Sequence, residues 1–195
     1  MQAARGASLT TSDQTEDQTR PRRRLGLLLA VGAVLYAVDV VTKVLAVEHL
    51  DARGRVDLLG PLLGLNLAHN PGAAFSLGTE STVVLTFLAI GAVVVVLVMA
   101  PRVRETWWAV ALGLLLAGVG GNLTDRLLRE PGPLRGHVVD FLQLPYWPIF
   151  NVADMCICTA AGIIIVQSFR GLRLDGSRHG EPDADADTEA GETGA

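Results

Sequence analysis

The chain has 195 residues, half of them apolar, and a formal net charge of −4 at pH 7. A mean hydropathy of +0.38 and a charged share of only 18% exclude an ordinary water-soluble domain. The negative sum comes mainly from an acidic C-terminal tail, and no basic stripe with interleaved aromatic residues occurs, so nucleic acid is not an expected partner.

The two ends of the chain are polar and lack the apolar periodicity of a folded segment. Such segments bury too little apolar surface to offset the entropy of ordering. We therefore predict three regions: a disordered, basic-ended cytoplasmic tail over 1–24, a membrane domain over 25–170, and an acidic disordered cytoplasmic tail over 171–195.

Four apolar stretches lie between the tails, at about 25–47, 82–100, 107–123 and 152–169. A helix rises about 1.5 Å per residue, so stretches of this length cross a hydrocarbon core of roughly 30 Å. Only helices satisfy all their backbone groups inside lipid over such runs. The sequence thus predicts an all-α membrane protein with four transmembrane helices.

The first outer loop, residues 48–81, is too long for a simple turn. Two short apolar runs, 56–59 and 63–67, are bounded by the turn signals Gly60-Pro61 and Pro71-Gly72. They predict a small β-rich patch on the extracytoplasmic surface. The second outer loop, 124–151, carries Tyr146 and Trp147, which suit the boundary between lipid and water.

The orientation is predicted from arginines. With four spans, three arginine-bearing segments share one side, which the positive-inside rule makes cytoplasmic. These arginines precede the first span, separate the second from the third, and follow the fourth: Arg20, Arg22, Arg23, Arg24, Arg102, Arg104, Arg170, Arg173 and Arg178. Both termini are then cytoplasmic, and the two long loops face outward.

Ionisable side chains in or beside the spans are costly to insert and are therefore functional candidates. Asp39 and Lys43, four residues apart in the first span, predict an internal ion pair with a structural role. Asp125 and Arg126 follow Gly120-Gly121 at the outer end of the third span. Their side chains either satisfy a helix end or contact a substrate, and the sequence leaves both readings open.

Two further aspartates lie at the outer side. Asp140 is embedded in an apolar Val-Val-Asp-Phe run, unlike a solvated loop acid. Asp154 stands three residues after Asn151, so on its own it favours a capping box at a helix N-terminus. The histidines and serines show neither a Ser-His-Asp arrangement nor metal-ligand spacing, and two carboxylates remain as candidates for chemistry. Such a pair shares one proton and activates water without a metal or another cofactor.

Five motifs, taken in order, resemble those of bacterial lipoprotein signal peptidase, also called signal peptidase II, an aspartic peptidase family. The resemblance covers roughly residues 25–170. It is carried by Asp39-Val-Val-Thr-Lys43, Asn66-Leu-Ala-His-Asn70-Pro-Gly-Ala-Ala-Phe75-Ser76, Gly121-Asn122-Leu-Thr-Asp125-Arg126, Val138-Val139-Asp140-Phe141 and Phe150-Asn151-Val-Ala-Asp154. Each motif is short, but five in this order on a four-span scaffold are specific.

The resemblance implies a membrane endopeptidase in the bacterial cell membrane with its active site near the outer face. It implies Asp140 and Asp154 as catalytic residues. It further implies that four residues bind substrate: Asn70, Asn122, Arg126 and Asn151. Three more residues support the site: Asp39, Lys43 and Asp125. The implied partners are prolipoproteins with a diacylglyceryl cysteine, cleaved just before that cysteine, together with membrane lipid and the inhibitor globomycin.

One residue and one segment length depart from the family pattern. Pro71 follows Asn70 where the family usually has another small or polar residue, and it removes a backbone donor from the loop. The segment between Asp140 and Asn151 is also short for the family.

Two other functions remain as alternatives. A small transporter or proton-relay subunit would also carry carboxylates near its spans, but along a path through the membrane rather than at one face. A non-catalytic membrane adaptor would present its outer loops to a partner and would not require two buried aspartates.

Overall fold

Four long helices dominate the computed structural model, which describes residues 23–51, 53–72 and 80–178. They are α1 (Leu25–Leu50), α2 (Glu80–Met99), α3 (Thr106–Leu128) and α4 (Val152–Phe169). All four are long and apolar enough to cross a membrane, which confirms the predicted four-span fold. Residues 1–22 and 179–195, as well as Phe75 and Ser76 of the outer-loop motif, lie outside the described residues, so the disorder of the tails stays a prediction.

The central helix is α3, which packs against α1, α2 and α4. Glycines bring the backbones close. A Cβ atom at Gly113 would lie 2.7 Å from the carbonyl oxygen of Leu28 in α1, and one at Gly118 would collide with the carbonyl oxygen of Ala153 in α4. Lipid supplies no hydrophobic force between helices, so such close packing is what holds them together.

A three-stranded antiparallel sheet covers one end of the bundle, the end that the sequence predicts to face outward. Its strands are β1 (Val56–Asp57), β2 (Gly64–Asn70) and β3 (Val138–Gln143). The predicted β-rich patch is confirmed for the first outer loop, but β3 comes from the second outer loop and was not predicted. Residues 138–141 of β3 are all buried, so this strand lacks the alternation that marks a half-exposed strand.

The register of the sheet places candidate residues on one face. Ala68 lies opposite Asp140, and Asn70 lies opposite Val138. Because side chains alternate along a strand, Asn70 and Asp140 point to the same side of the sheet. That side is where the first turn of α4 begins.

The helix α3 extends to Leu128, beyond the end near Leu123 that was predicted. The charges of Asp125 and Arg126 suggested a helix end, but both side chains are buried inside the protein. The helix is therefore continuous through this motif, and Asp125 and Arg126 do not mark its end.

The segments just before α1 and just after α4 pack against the α2–α3 connection at the end of the bundle opposite the sheet. The backbone N–H of Arg24 donates to the carbonyl oxygen of Val103 at 2.9 Å, and that of Arg104 donates to Leu174 at 2.9 Å. Residues 171–178, which the sequence assigned to the C-terminal tail, thus form a turn packed against the α2–α3 connection. The ordered part of the chain reaches at least Arg178 rather than ending at residue 170.

Candidate active site

Lys43 lies at the centre of a buried ionic cluster near the end of the bundle that carries the sheet. Its Nζ atom lies 2.8 Å from Asp39 Oδ2 and 2.9 Å from Asp125 Oδ2. The same atom donates to Asn122 Oδ1 at 2.9 Å. The predicted Asp39–Lys43 ion pair is confirmed, and a second carboxylate joins it. Two carboxylates around one ammonium group offset the high cost of burying a charge between helices.

The two carboxylates of this cluster also hold the segments that follow. Asp39 Oδ1 accepts the backbone N–H of Ala153, in the first turn of α4, at 2.8 Å. Asp125 Oδ2 accepts the backbone N–H of Val139, in β3, at 3.2 Å, and Asp125 Oδ1 accepts Arg129 Nε at 2.5 Å. The ion cluster therefore fixes α1 and α3 to the backbone beside each of the two candidate aspartates.

Asp140 is buried, with 3% of its surface exposed. Asn70 Nδ2 donates to its Oδ2 at 2.9 Å, and Asn151 Nδ2 donates to its Oδ1 at 2.6 Å. Burial raises the pKa of Asp140 from 3.8 to about 6; the hydrogen bonds from both asparagines act against this rise, and the neighbouring charge of Asp154 adds to it. The group can consequently hold or release a proton near neutral pH.

Asp154 forms the capping box that the sequence suggested. Asn151 Oδ1 accepts the backbone N–H of Asp154 at 2.9 Å, and Asp154 Oδ2 accepts that of Asn151 at 3.1 Å. Asn122 Nδ2 donates to the other oxygen, Oδ1, at 3.0 Å. Because Asn151 also holds Asp140, the helix cap and the aspartate pair are one arrangement. Within the described residues, neither carboxyl of this pair forms an ion pair.

Asn70 is oriented by a turn that uses Pro71. Its Oδ1 accepts the backbone N–H of Gly72 at 2.8 Å, so its Nδ2 faces Asp140. Gly72 adopts a φ of +108°, which favours glycine. The carbonyl oxygen of Pro71 accepts a hydrogen bond from Thr82 Oγ1 on α2. The departure at Pro71 thus forms part of an Asn-Pro-Gly turn that presents the Asn70 amide to the site.

Arg126 is buried beside these groups. Its Nη1 atom has no hydrogen-bond partner among the described residues. A buried donor without an acceptor costs roughly 1–3 kcal/mol. A carbonyl oxygen brought in by a bound peptide would remove that cost.

Sequence reasoning missed the contribution of α2. Thr86 Oγ1 donates to the carbonyl oxygen of Leu134 at 2.9 Å, while Thr82 holds Pro71 in the other outer loop. Both threonines are fully buried. The available signal was a pair of hydroxyl side chains four residues apart in the run 82–99, which is otherwise apolar. That spacing places both on one face of the helix.

Eight of the nine predicted site residues form one hydrogen-bonded network, and Arg126 lies buried nearby. The three asparagines direct their side-chain amides at the aspartates, so their predicted contact with substrate stays a prediction. In the described part of the chain, no three His, Cys, Asp or Glu side chains are arranged to hold a metal ion.

Comparisons with known proteins show which family the chain belongs to. A family model described as signal peptidase (SPase) II matches residues 31–170. A lipoprotein signal peptidase of Mycobacterium avium (strain 104) is 50% identical over 161 residues, which cover 83% of this chain and 88% of that protein. Another, of Mycolicibacterium smegmatis (strain ATCC 700084 / mc(2)155), is 46% identical over 176 residues, which cover 90% of this chain and 75% of that protein.

A solved structure of a bacterial membrane enzyme has the same fold. It superimposes with a TM-score of 0.69 at 22% identity and covers 77% of this chain and 97% of its own. A second such structure gives a TM-score of 0.70 and covers 84% of this chain and 98% of its own.

Proposed function

Because the chain belongs to the signal peptidase II family, and is therefore a multi-pass membrane protease, we propose that it removes signal peptides from diacylglyceryl-modified prolipoproteins. The relatives named above share the name lipoprotein signal peptidase, and the family resemblance implies cleavage just before the lipidated cysteine. The observation that carries the proposal is Asn151, whose side chain holds Asp140 while its backbone N–H holds Asp154. One residue thus brings two carboxyls together at the outer ends of the spans.

The two carboxyls divide acid and base roles. Asp140 is the more buried of the two and has a pKa raised to about 6, so it carries the shared proton. Asp154 lies in the first turn of α4, where the backbone N–H of Asn151 holds one of its oxygens and Asn122 Nδ2 the other, and it takes the role of base. The pair titrates jointly, and both roles belong to the singly protonated state.

The reaction then follows without a covalent intermediate. Asp154 takes a proton from water as the water oxygen bonds to the scissile carbonyl carbon, and Asp140 gives its proton to the carbonyl oxygen. When the tetrahedral intermediate collapses, the C–N bond breaks and the nitrogen receives the proton held by Asp154. One of the two hydroxyls on the carbon gives its proton back to Asp140 as the new carbonyl forms, which restores the starting state of both aspartates.

The surroundings fit a lipidated peptide. Arg126 Nη1, which has no partner in the described part of the chain, donates to a substrate carbonyl oxygen. An apolar cavity of about 390 Å³ lies between the outer half of α1 and the sheet, lined by residues that include Leu45, Leu65 and Phe141. Phe141 directly follows Asp140 in β3, so the cavity and the catalytic carboxyl lie on the two faces of one strand. With the arginine-bearing ends in the cytoplasm, the site faces outward.

The test is a cleavage assay with the purified full chain in detergent and a diacylglyceryl-modified prolipoprotein. We expect the shortened product from wild type, and no product from Asp140→Asn or Asp154→Asn, with each variant shown to be folded by circular dichroism. Asp57→Asn is the matched control, since Asp57 is an exposed carboxyl in the same sheet and should keep full activity. Globomycin is expected to inhibit the wild-type reaction.

The outcomes separate the alternatives. Retained cleavage in one folded variant would remove that aspartate from the catalytic pair. A transporter or an adaptor would give no product even as wild type. Loss of activity in Asp57→Asn would mean that any carboxyl change in the sheet disturbs the protein, and the assay would then not support the pair.

A further inference from the structure

A second cavity, of about 460 Å³, opens at the end of the bundle opposite the proposed active site. It lies between the turn after α2, the first turns of α3 and the end of α4. Its lining combines guanidinium groups, an indole and backbone: Arg102, Trp108, Ser168, Gly171, Leu172, Arg173, Leu174 and Asp175.

The wall of this cavity is held by specific hydrogen bonds. After α4 the chain reverses at Gly171, which has a φ of +67°. The carbonyl oxygen of Leu172 then accepts Trp108 Nε1 at 3.0 Å. That of Leu174 accepts the backbone N–H groups of Arg104 and Glu105 at 2.9 and 3.2 Å. The cavity is thus built by the fold rather than left by a loose tail.

The nearest acids are largely committed to other partners. Glu105 Oε2 accepts the backbone N–H of Trp108 at 2.7 Å and Nε2 of the buried Gln167 at 3.0 Å. Asp175 Oδ1 accepts the backbone N–H and the hydroxyl of Ser177 at 2.9 and 2.7 Å, and these bonds lower the pKa of Asp175. Glu105 is not part of the lining, which holds two arginines and the single carboxyl of Asp175, so the lining has a net positive charge.

Arg102 keeps most of its donors for a ligand. Its Nη1 donates to the carbonyl oxygen of Val98 at 2.8 Å, which fixes the guanidinium beside the end of α2. A guanidinium carries five N–H donors, so further donors of this fork remain to bind an anion. Planar forks of this kind match phosphate oxygens well.

We propose that this cavity binds the phosphate-bearing headgroup of an anionic phospholipid from the cytoplasmic leaflet. Basic pockets between transmembrane helices on that side are suited to such headgroups. Trp108 provides the amphipathic ring typical of the interface, and the exposed apolar side chains of Val98 and Phe169 leave lipid-facing surface next to the cavity for the acyl chains. The site is independent of the proposed peptidase chemistry.

Native mass spectrometry of the detergent-purified full chain tests this proposal. The probes are dioleoyl phosphatidylglycerol, dioleoyl phosphatidylcholine and inorganic phosphate. Wild type should retain several times more phosphatidylglycerol than phosphatidylcholine at equal concentration. Arg102→Gln and Arg173→Gln should each lower retained phosphatidylglycerol about fivefold, the effect of losing one arginine near an anionic surface. Arg53→Gln, at an exposed arginine of the outer end, should leave it unchanged.

Each remaining outcome counts against the proposal. Equal retention of the two lipids, or retention by both variants at the wild-type level, would refute a headgroup site in this cavity. Displacement of phosphatidylglycerol by millimolar inorganic phosphate would assign the cavity to a free anion instead of a lipid. Should either variant misfold by circular dichroism, raising the salt concentration on wild type gives the same test, because a headgroup held by arginines must be released as ionic strength rises.

Discussion

Replacing Gly121 by alanine should disturb the candidate active site more than the same replacement at the neighbouring Gly120. A Cβ atom at Gly121 would overlap Asp39 Oδ2 and lie 3.0 Å from Asp39 Cγ. Asp39 cannot easily yield, because Oδ2 is paired with Lys43 and Oδ1 accepts the backbone N–H of Ala153. The neighbouring Gly120 offers a matched control, since its Cβ would lie 3.7 Å from Tyr36 Cδ2, an ordinary contact.

The magnitude follows from two opposing effects. Alanine is favoured over glycine inside a helix by about 1 kcal/mol, which applies equally to both positions. Overpacking a tight interface costs about 1–3 kcal/mol, and this applies only at Gly121. The free energy of unfolding of Gly121→Ala should therefore lie about 1–3 kcal/mol below that of Gly120→Ala.

Two measurements check this expectation. Unfolding in mixed micelles with increasing sodium dodecyl sulfate, followed by circular dichroism, gives the difference in stability. Cleavage of a diacylglyceryl-modified prolipoprotein should fall at least tenfold in Gly121→Ala and stay near wild type in Gly120→Ala, because a displaced Asp39 releases the first turn of α4, which carries Asp154. Equal stability of the two variants would refute the packing argument, and equal activity would refute the link between Asp39 and the site.

Three more predictions concern single side chains. Because burial raises the pKa of Asp140 from 3.8 to about 6, the folded state binds this proton more tightly than the unfolded chain. As pH rises from 4 to 6, the free energy of unfolding of wild type should thus fall by up to about 3 kcal/mol relative to that of Asp140→Asn. Above pH 6 the difference between the two proteins should stay constant. If the carboxyl is solvated instead, the difference should not change with pH. Thr86→Val leaves the Leu134 carbonyl without its donor and should cost about 1–3 kcal/mol in detergent unfolding, with Thr86→Ser restoring stability. Lys43→Met leaves Asp39 unpaired and should cost about 3–5 kcal/mol by the same measurement; a smaller loss would mean that water reaches the cluster.

The sequence predicted the spans well because their signal is local. Residues 152–169 were predicted as a span and form α4 with the same bounds, since lipid requires every backbone group of an apolar run to be satisfied within its own helix. The third span was predicted too short because Asp125 looked like a polar boundary. Its carboxylate is instead satisfied by Lys43 and by the backbone of β3, partners that are distant in the chain.

Only part of the candidate site could be predicted from residues that are neighbours in the chain. The capping box of Asn151 and Asp154 is local in the chain, and it was found as a structural feature. That the same Asn151 amide also reaches Asp140 depends on how β3 lies against α4. The threonines of α2 were missed for a similar reason, because their acceptors are backbone carbonyls in two separate loops.

By itself, then, the amino-acid sequence determined the number of spans, the family resemblance and the short list of residues able to carry chemistry, since hydropathy and motif order are properties of neighbouring residues. The tertiary structure alone decided that one asparagine joins the two aspartates, that Lys43 serves two carboxylates, and that the C-terminal turn closes a basic cavity at the far end. Those contacts join residues far apart in the chain, and they exist only once α3 has packed against α1 and α4 through its glycines.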